Sequence, residues 1–371
     1  MSCRLHVVEQ TDPRRIEARI EIPGRNPFEG FIEANVDLNQ SADAWLPLSL
    51  LAAMWAGETL EVDGPVDPVL LRNVDQVSTL MEDWWPDLLT QVQVTVPAAD
   101  LQKRASGVGA FFSGGVDSFY TAAKELDEIT HFIIILGFDV HLDDEQLVES
   151  TLQSIRRAAS DLNKPLVEVR TNIGELTDGI LDWQYHSHGA GLAGVGHALC
   201  PVIGRVLIPG SYSDGDMHRQ ATHPQLDPLW SSSSVEFVHH GTEANRVQKV
   251  KFIANNQPAM DHLRVCWWNP NSEYNCGQCE KCVRTMVSLR AVGASAKCST
   301  LPALRPGQVA RQLLIGSARD MAKENREALS ETSGNKELKA ELAFAIARSA
   351  AHERGSRLKS AIKRLLSDRR G

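Results

Sequence analysis

The sequence predicts an α/β protein organised on a parallel, doubly wound sheet, with an α+β unit before it and a helical tail after it. Three observations carry that prediction. From residue 108 onward, short apolar runs alternate with amphipathic stretches in a βαβαβ rhythm. The run at residues 131–136, His-Phe-Ile-Ile-Ile-Leu, is almost wholly apolar, as a strand covered on both faces should be. The first run, residues 108–112, passes directly into Ser113-Gly114-Gly115-Val116-Asp117-Ser118 and then into a helix-like segment, giving strand, glycine turn and helix start in succession.

In chain order, residues 5–8, 16–22 and 30–38 alternate partially and read as strands, separated by turn signals at Pro23-Gly24 and Asn26-Pro27. Residues 45–55 are apolar at helical spacing, 59–62 form a short strand, and 68–85 form an amphipathic helix. Residues 91–96 alternate strictly between Val and polar side chains, which predicts another strand. The tryptophans of this first unit suit a core. After a polar connection come strands at 108–112, 131–136, 166–169, 202–208 and 235–239. Helices are expected at 117–126, 144–162, 175–183, 189–200 and 243–254. Residues 308–371 read as helical throughout, with a break at Ser333-Gly334-Asn335. The expected organisation is an accessory unit at 1–100, a central domain at 101–300 and a basic helical region at 301–371.

With 43% hydrophobic and 23% charged residues the composition is that of an ordinary globular protein. No apolar run reaches the ~18 residues of a membrane span, and no signal pattern opens the chain, so a cytoplasmic location without membrane contact is expected. The net charge of −9 is uneven. The first hundred residues hold seventeen acids against six arginines and no lysine, and residues 305–371 hold fifteen basic residues against eight acids. The acidic segment excludes nucleic acid as its own partner and suits protein docking. The basic tail is compatible with nucleic acid, but a solvated helix face is the commoner meaning, so nucleic acid is not favoured.

The glycine loop carries the first chemical signal. Two glycines let backbone N–H groups approach an anion, and the helix N-terminus adds partial positive charge. Ser113 and Ser118 offer hydroxyls. Asp117, an anion in a phosphate loop, makes sense if Mg²⁺ bridges it to the phosphates. The loop is not the Walker type, which needs a Lys before its Ser or Thr. A second signal is Cys266, Cys276, Cys279 and Cys282, four of the seven cysteines within 17 positions. Four thiolates suit tetrahedral Zn²⁺, with an iron–sulfur cluster as the other fit. Four protein ligands leave no open position, so the metal is expected to be structural.

The loop SGGVDS resembles the pyrophosphate loop of the ATP-pyrophosphatase families. Together with Cys-x9-Cys-Gly-x-Cys-x2-Cys downstream, it resembles 7-cyano-7-deazaguanine synthase over about residues 108–293, with extra N- and C-terminal regions. The resemblance implies an adenine nucleotide alpha hydrolase-like fold. It implies cleavage of ATP to AMP and pyrophosphate, adenylation of a 7-deazaguanine-type carboxylic acid, and attack by ammonia or an amine to give an amide or nitrile. ATP would be bound by Ser113, Gly114, Gly115, Val116, Asp117 and Ser118, with Leu136 and Gly137 covering the adenine. Asp117, with Arg246 and Lys249 sharing a helix face, would carry the phosphate chemistry. The zinc would lie beside the active site. The long polar loop after residue 208 is read as the acceptor side, through Ser211, Asp214, His223 and Asp227.

The first cysteine gap is nine residues where about seven is expected, and the polar loop has no clear match, so a different acceptor is open. The partners expected are a small carboxylic acid and ammonia or an amine donor, with a protein partner at the first unit and a homodimer both open. Two rival readings stand beside this one. A thiolating tRNA enzyme would need a sulfur-handling cysteine, for which Cys200 is the central candidate. A nucleotide-binding module of a larger assembly would leave Asp117 without a task.

Overall fold

The computed structural model describes residues 2–97, 100–330 and 333–367. They form two compact units, residues 1–244 and 245–371.

The first unit is built on one ten-stranded sheet. It opens with the strands β1 (Ser2–Val8), β2 (Arg15–Glu21) and β3 (Phe28–Ala34), helix α1 (Leu46–Ala56), strand β4 (Thr59–Asp63), helix α2 (Pro68–Trp84) and the two-residue strand β5 (Val94–Thr95). Then come β6 (Gly107–Phe111), α3 (Val116–Lys124), β7 (His131–Leu136), α4 (Glu145–Asp161), β8 (Leu166–Thr171), α5 (His188–Ala198), β9 (Ile203–Pro209) and β10 (Glu236–His240). The strand order is β10-β9-β6-β7-β8-β3-β2-β1-β4-β5. The five strands from β10 to β8 are mutually parallel, while β3 joins β8 antiparallel through Ile32, Glu33 and Ala34. The fold is therefore mixed α/β with a largely parallel, continuous sheet flanked by helices. The strands of residues 1–97 and those of the expected central domain share this sheet and one hydrophobic core, which runs from Leu5 and Ile16 to Val206 and Phe237.

From β6 the chain moves one way to β7 and β8, then crosses back to β9 and β10 on the other side of β6. The carboxyl ends of β6 and β9 are thus the point where the crossovers diverge, the place where open α/β sheets leave a crevice for ligands.

Local chemistry explains the elements. The Asp67 carboxylate caps α2 by accepting from the Val69 and Leu70 amides, and Asp144 caps α4 through Leu147. Helix α1 is apolar on every side and is buried from Leu46 to Met54, as a helix without a polar face must be. Trp45 and Trp84 lie in the core. Where a helix is expected at 175–183, the chain instead makes a 3-10 turn at Ile173–Thr177 and a π-helical turn at Trp183–Ser187. Gly179, at φ 72°, separates them.

The second unit holds α6 (Arg246–Ile253), α7 (Gln257–His262), α8 (Glu280–Ala291), α9 (Ser317–Ala328) and α10 (Ser333–Ser367). Val283, Met286 and Val287 of α8 pack with Val309, Leu314, Ala322, Leu329, Leu338 and Leu342. The helix expected from residue 309 starts only at Ser317. Before it, Val309 N is bonded to Glu341 and Leu314 N to Ser349, so these amides are satisfied by α10 side chains. The side chains of 356–371, with the last basic cluster of the tail, lie outside the described residues.

Candidate functional site

In the second unit, the sulfurs of Cys266, Cys276, Cys279 and Cys282 lie within 4.8 Å of one another, and all four residues are buried. Cys276 and Cys282 are 4.0 Å apart, and Cys266 and Cys279 are 3.9 Å apart, sulfur to sulfur. A tetrahedral ion with metal–sulfur bonds of ~2.3 Å would set its ligands about 3.8 Å apart, so the cluster fits a metal ion. The donor set is purely sulfur, and backbone amides point at it. Asn269 N donates to Cys266 Sγ at 3.2 Å, and Gln278 N and Cys279 N donate to Cys276 Sγ at 3.3 and 3.2 Å.

The local fold explains why the sequence closes here. Cys279 caps the N-terminus of α8, where the helix dipole favours a thiolate. The Cys279 thiol is held down at about 5 by its hydrogen bond with Cys282, aided by backbone amides of Cys282 and Trp267, while Cys282 is pushed up in return. Gly277 sits at φ 66°, and a β-carbon there would fall 2.4 Å from Pro302 Cγ. Asn275 ties the two halves together. Its side chain accepts from Val265 N and Cys266 N and donates to Leu263 O at 2.8 Å. On α6 of the same unit, Lys249 is fully buried and Arg246 nearly so. A buried lysine is rare unless its charge is compensated, so a solvated basic face does not describe this helix.

In the first unit the SGGVDS loop fills the carboxyl end of β6. Gly114 has φ 76°, Gly115 caps α3 in an extended conformation, and Asp117 stands in the first turn. Ser113 is exposed and Asp117 is half-buried. Val116 and Ser118 are buried, and Ser118 Oγ donates to Gly115 O at 3.1 Å. Ser211, just beyond β9, donates to Asp117 Oδ2 at 3.2 Å. The two strand ends at the divergence point are therefore joined through the carboxylate.

The other predicted residues separate. Leu136 is buried in β7. Gly137 has φ 104°, and a β-carbon there would lie 1.7 Å from Thr171 O, so packing against the end of β8 already accounts for this glycine. Asp214 is exposed in a short 3-10 turn, and its amide donates to Thr242 O. His223 is buried edge-on to Trp84, with ring centroids 4.8 Å apart. Burial, aided by repulsion from His239, pushes the His223 imidazole down. Asp227 is wholly buried and its carboxylate pairs with His239 Nδ1 at 2.7 Å.

Two groups were not singled out by sequence reasoning. His239 reads in sequence only as the close of a strand. The aromatic cluster of Phe138, Trp183 and His188, with centroids 4.8–6.2 Å apart, joins the loop after β7 to the π-helical turn. No signal in the sequence pairs residues so far apart, although a π-helical turn often marks a functional place once seen.

Compared with family models, characterised proteins and solved structures, the chain matches none. Among the described residues no helix is long and apolar enough to cross a membrane.

Proposed function

We propose that the protein uses ATP to adenylate a carboxylic acid, forming AMP and pyrophosphate, and passes the acyl group to ammonia or an amine. The observation that carries this reading is the position of SGGVDS. It sits at the carboxyl end of β6 where the crossovers diverge, and its Asp117 is met there by Ser211 from the end of β9.

The amides at the start of α3 and the hydroxyl of the exposed Ser113 would bind phosphate oxygens. Asp117 and the Ser211 hydroxyl are hard oxygen donors that would hold Mg²⁺, whose charge would offset that of the phosphates. The acid's carboxylate oxygen attacks the α-phosphorus and pyrophosphate leaves. The nitrogen then attacks the acyl carbon and AMP leaves, taking that oxygen with it. A 7-deazaguanine-type acid is the substrate the sequence resemblance favours, with an amide as product, or a nitrile where a second ATP adenylates the amide oxygen and a second AMP carries that oxygen away. The four-cysteine cluster would hold Zn²⁺ as a closed structural site, because all four positions are protein sulfurs.

Sulfur transfer to RNA is the weaker reading. Cys200 is 5% exposed, and burial pushes its thiol up, which leaves little thiolate to carry sulfur. Incubation with ATP, Mg²⁺, ammonium chloride and 7-carboxy-7-deazaguanine should release AMP and pyrophosphate in equal amounts. Release of ADP and phosphate would overturn the mechanism.

A further inference from the structure

His239 on β10 and Asp227, in the 3-10 turn Asp227–Trp230, form a buried pair that the proposed phosphate chemistry does not use. His239 Nδ1 lies 2.7 Å from Asp227 Oδ2, with side chains 2% and 0% exposed. The second carboxylate oxygen accepts from His223 N at 3.1 Å, which fixes the carboxylate's direction. Such a carboxylate holds the imidazole as its Nδ1–H tautomer, so Nε2 carries a bare lone pair.

Among the described residues, Nε2 of His239 has no hydrogen-bond partner. A buried polar atom left unpaired forfeits the hydrogen bonds water would give it, so its retention asks for an explanation. The atom faces Gly210. A β-carbon at 210 would fall 2.4 Å from it, so any side chain there would fill the approach to the lone pair. Gly210 N is anchored to His240 O at 2.8 Å. The next residue, Ser211, is the one that reaches Asp117 in the glycine loop. The lone pair and the loop carboxylate are thus served by adjacent residues of one strand-end turn.

We propose that His239, oriented by Asp227, is the proton acceptor for the nitrogen nucleophile that attacks the acyl-adenylate. The inference rests on the adenylation reading. In the step, the C–N bond forms and the C–O bond to AMP breaks, its electron pair leaving on the AMP phosphate. One N–H proton passes to His239 Nε2, and Asp227 stabilises the imidazolium. The proton leaves to water with the product. The titratable groups facing the pair are His223, in the loop before Asp227, and His188 from α5, both electrostatically coupled to it.

The test uses the full chain with ATP, Mg²⁺, 7-carboxy-7-deazaguanine and ammonium chloride. His239→Gln should lower product formation from ammonia by about 10²–10³-fold. It should leave ATP–pyrophosphate exchange within about threefold of wild type; Asp227→Asn should lower the ammonia reaction too, because it releases the tautomer. Wild-type ammonia turnover in His239→Gln, or an equal loss of exchange in a folded variant, would overturn the role of His239 alone. Absence of exchange in the wild type would overturn the adenylation reading and this inference with it. Should the variants not fold, ¹⁵N-histidine spectra of the wild type serve instead. A protonated Nδ1 and bare Nε2 at His239 support the proposal, and the opposite tautomer refutes it.

Discussion

Removing the metal from the four-cysteine cluster should unfold the second unit rather than merely weaken it. The perturbation is Cys282→Ser, which takes away a wholly buried ligand. At roughly 0.05–0.15 kcal/mol per residue, a unit of ~130 residues holds roughly 6–19 kcal/mol of stability. A structural zinc site is worth ~10–16 kcal/mol at neutral pH in small peptides, which is of the same size. The structure says where that contribution goes. Cys279 and Cys282 start α8, and α8 supplies Val283, Met286 and Val287 to the core that α9 and α10 share. Without the metal, four thiols must share a cavity in which one already resists ionisation, and the first turn of α8 loses its anchor. Elemental analysis of protein grown with zinc should find about one zinc per chain in the wild type and little in Cys282→Ser. Calorimetry should show a transition that falls steeply on adding a strong chelator, while the transition of residues 1–244 stays. A metal-free wild type whose unfolding ignores chelator would refute the argument.

Other consequences follow from single contacts. Asp117→Asn should keep the fold and lower AMP formation by about 10²–10³-fold, measured by AMP release beside a thermal melt. Gly137→Ala should cost about 2–4 kcal/mol, because the new methyl meets Thr171 O and the residue keeps a positive φ; urea unfolding reads this directly. Cys200→Ala should leave AMP formation unchanged, and a complete loss of turnover would revive the sulfur-transfer reading. The Glu243 carboxyl is pushed up by burial, but Lys124 and Tyr120 outweigh this and hold it at about 2. Its folded value lies below its unfolded one, so its contribution is present at neutral pH and is lost as pH falls from about 4.5 to about 2. The pair is partly exposed, so Lys124→Met should cost less than about 1 kcal/mol at pH 7 and should flatten that acid limb in a pH series of melts.

Much of the architecture is written locally. The apolar run of β7 announces a strand covered on both faces, and Phe132, Ile133, Ile134 and Leu136 are indeed buried. The cysteines are legible because their ligand spacing is compressed into one short stretch. The junction of β3 with β8 was not legible, since Ile32 pairs with Thr171 across the whole parallel module and neither segment alone signals an edge to be capped. The loop after β9 was legible in composition but not in contacts. Its polar composition suggested ligand-facing side chains, yet Asp227 and His223 turn inward, the first to His239 and the second to Trp84. Burial of a carboxylate depends on a partner, and that partner stands twelve residues away on a strand. Ser211 of the polar loop touches the glycine loop, because it follows the strand that neighbours β6.

The central claim is that the glycine loop delivers AMP to a carboxylate. It is tested most directly by turning over 7-carboxy-7-deazaguanine labelled with ¹⁸O in its carboxylate, with ATP and ammonia, and weighing the nucleotide product. Adenylation predicts one ¹⁸O in the phosphate of each AMP released, with unlabelled pyrophosphate, and transfer lowered in step with AMP formation in Asp117→Asn. Label appearing in inorganic phosphate beside ADP, or AMP formed without label while the acid is consumed, would contradict it.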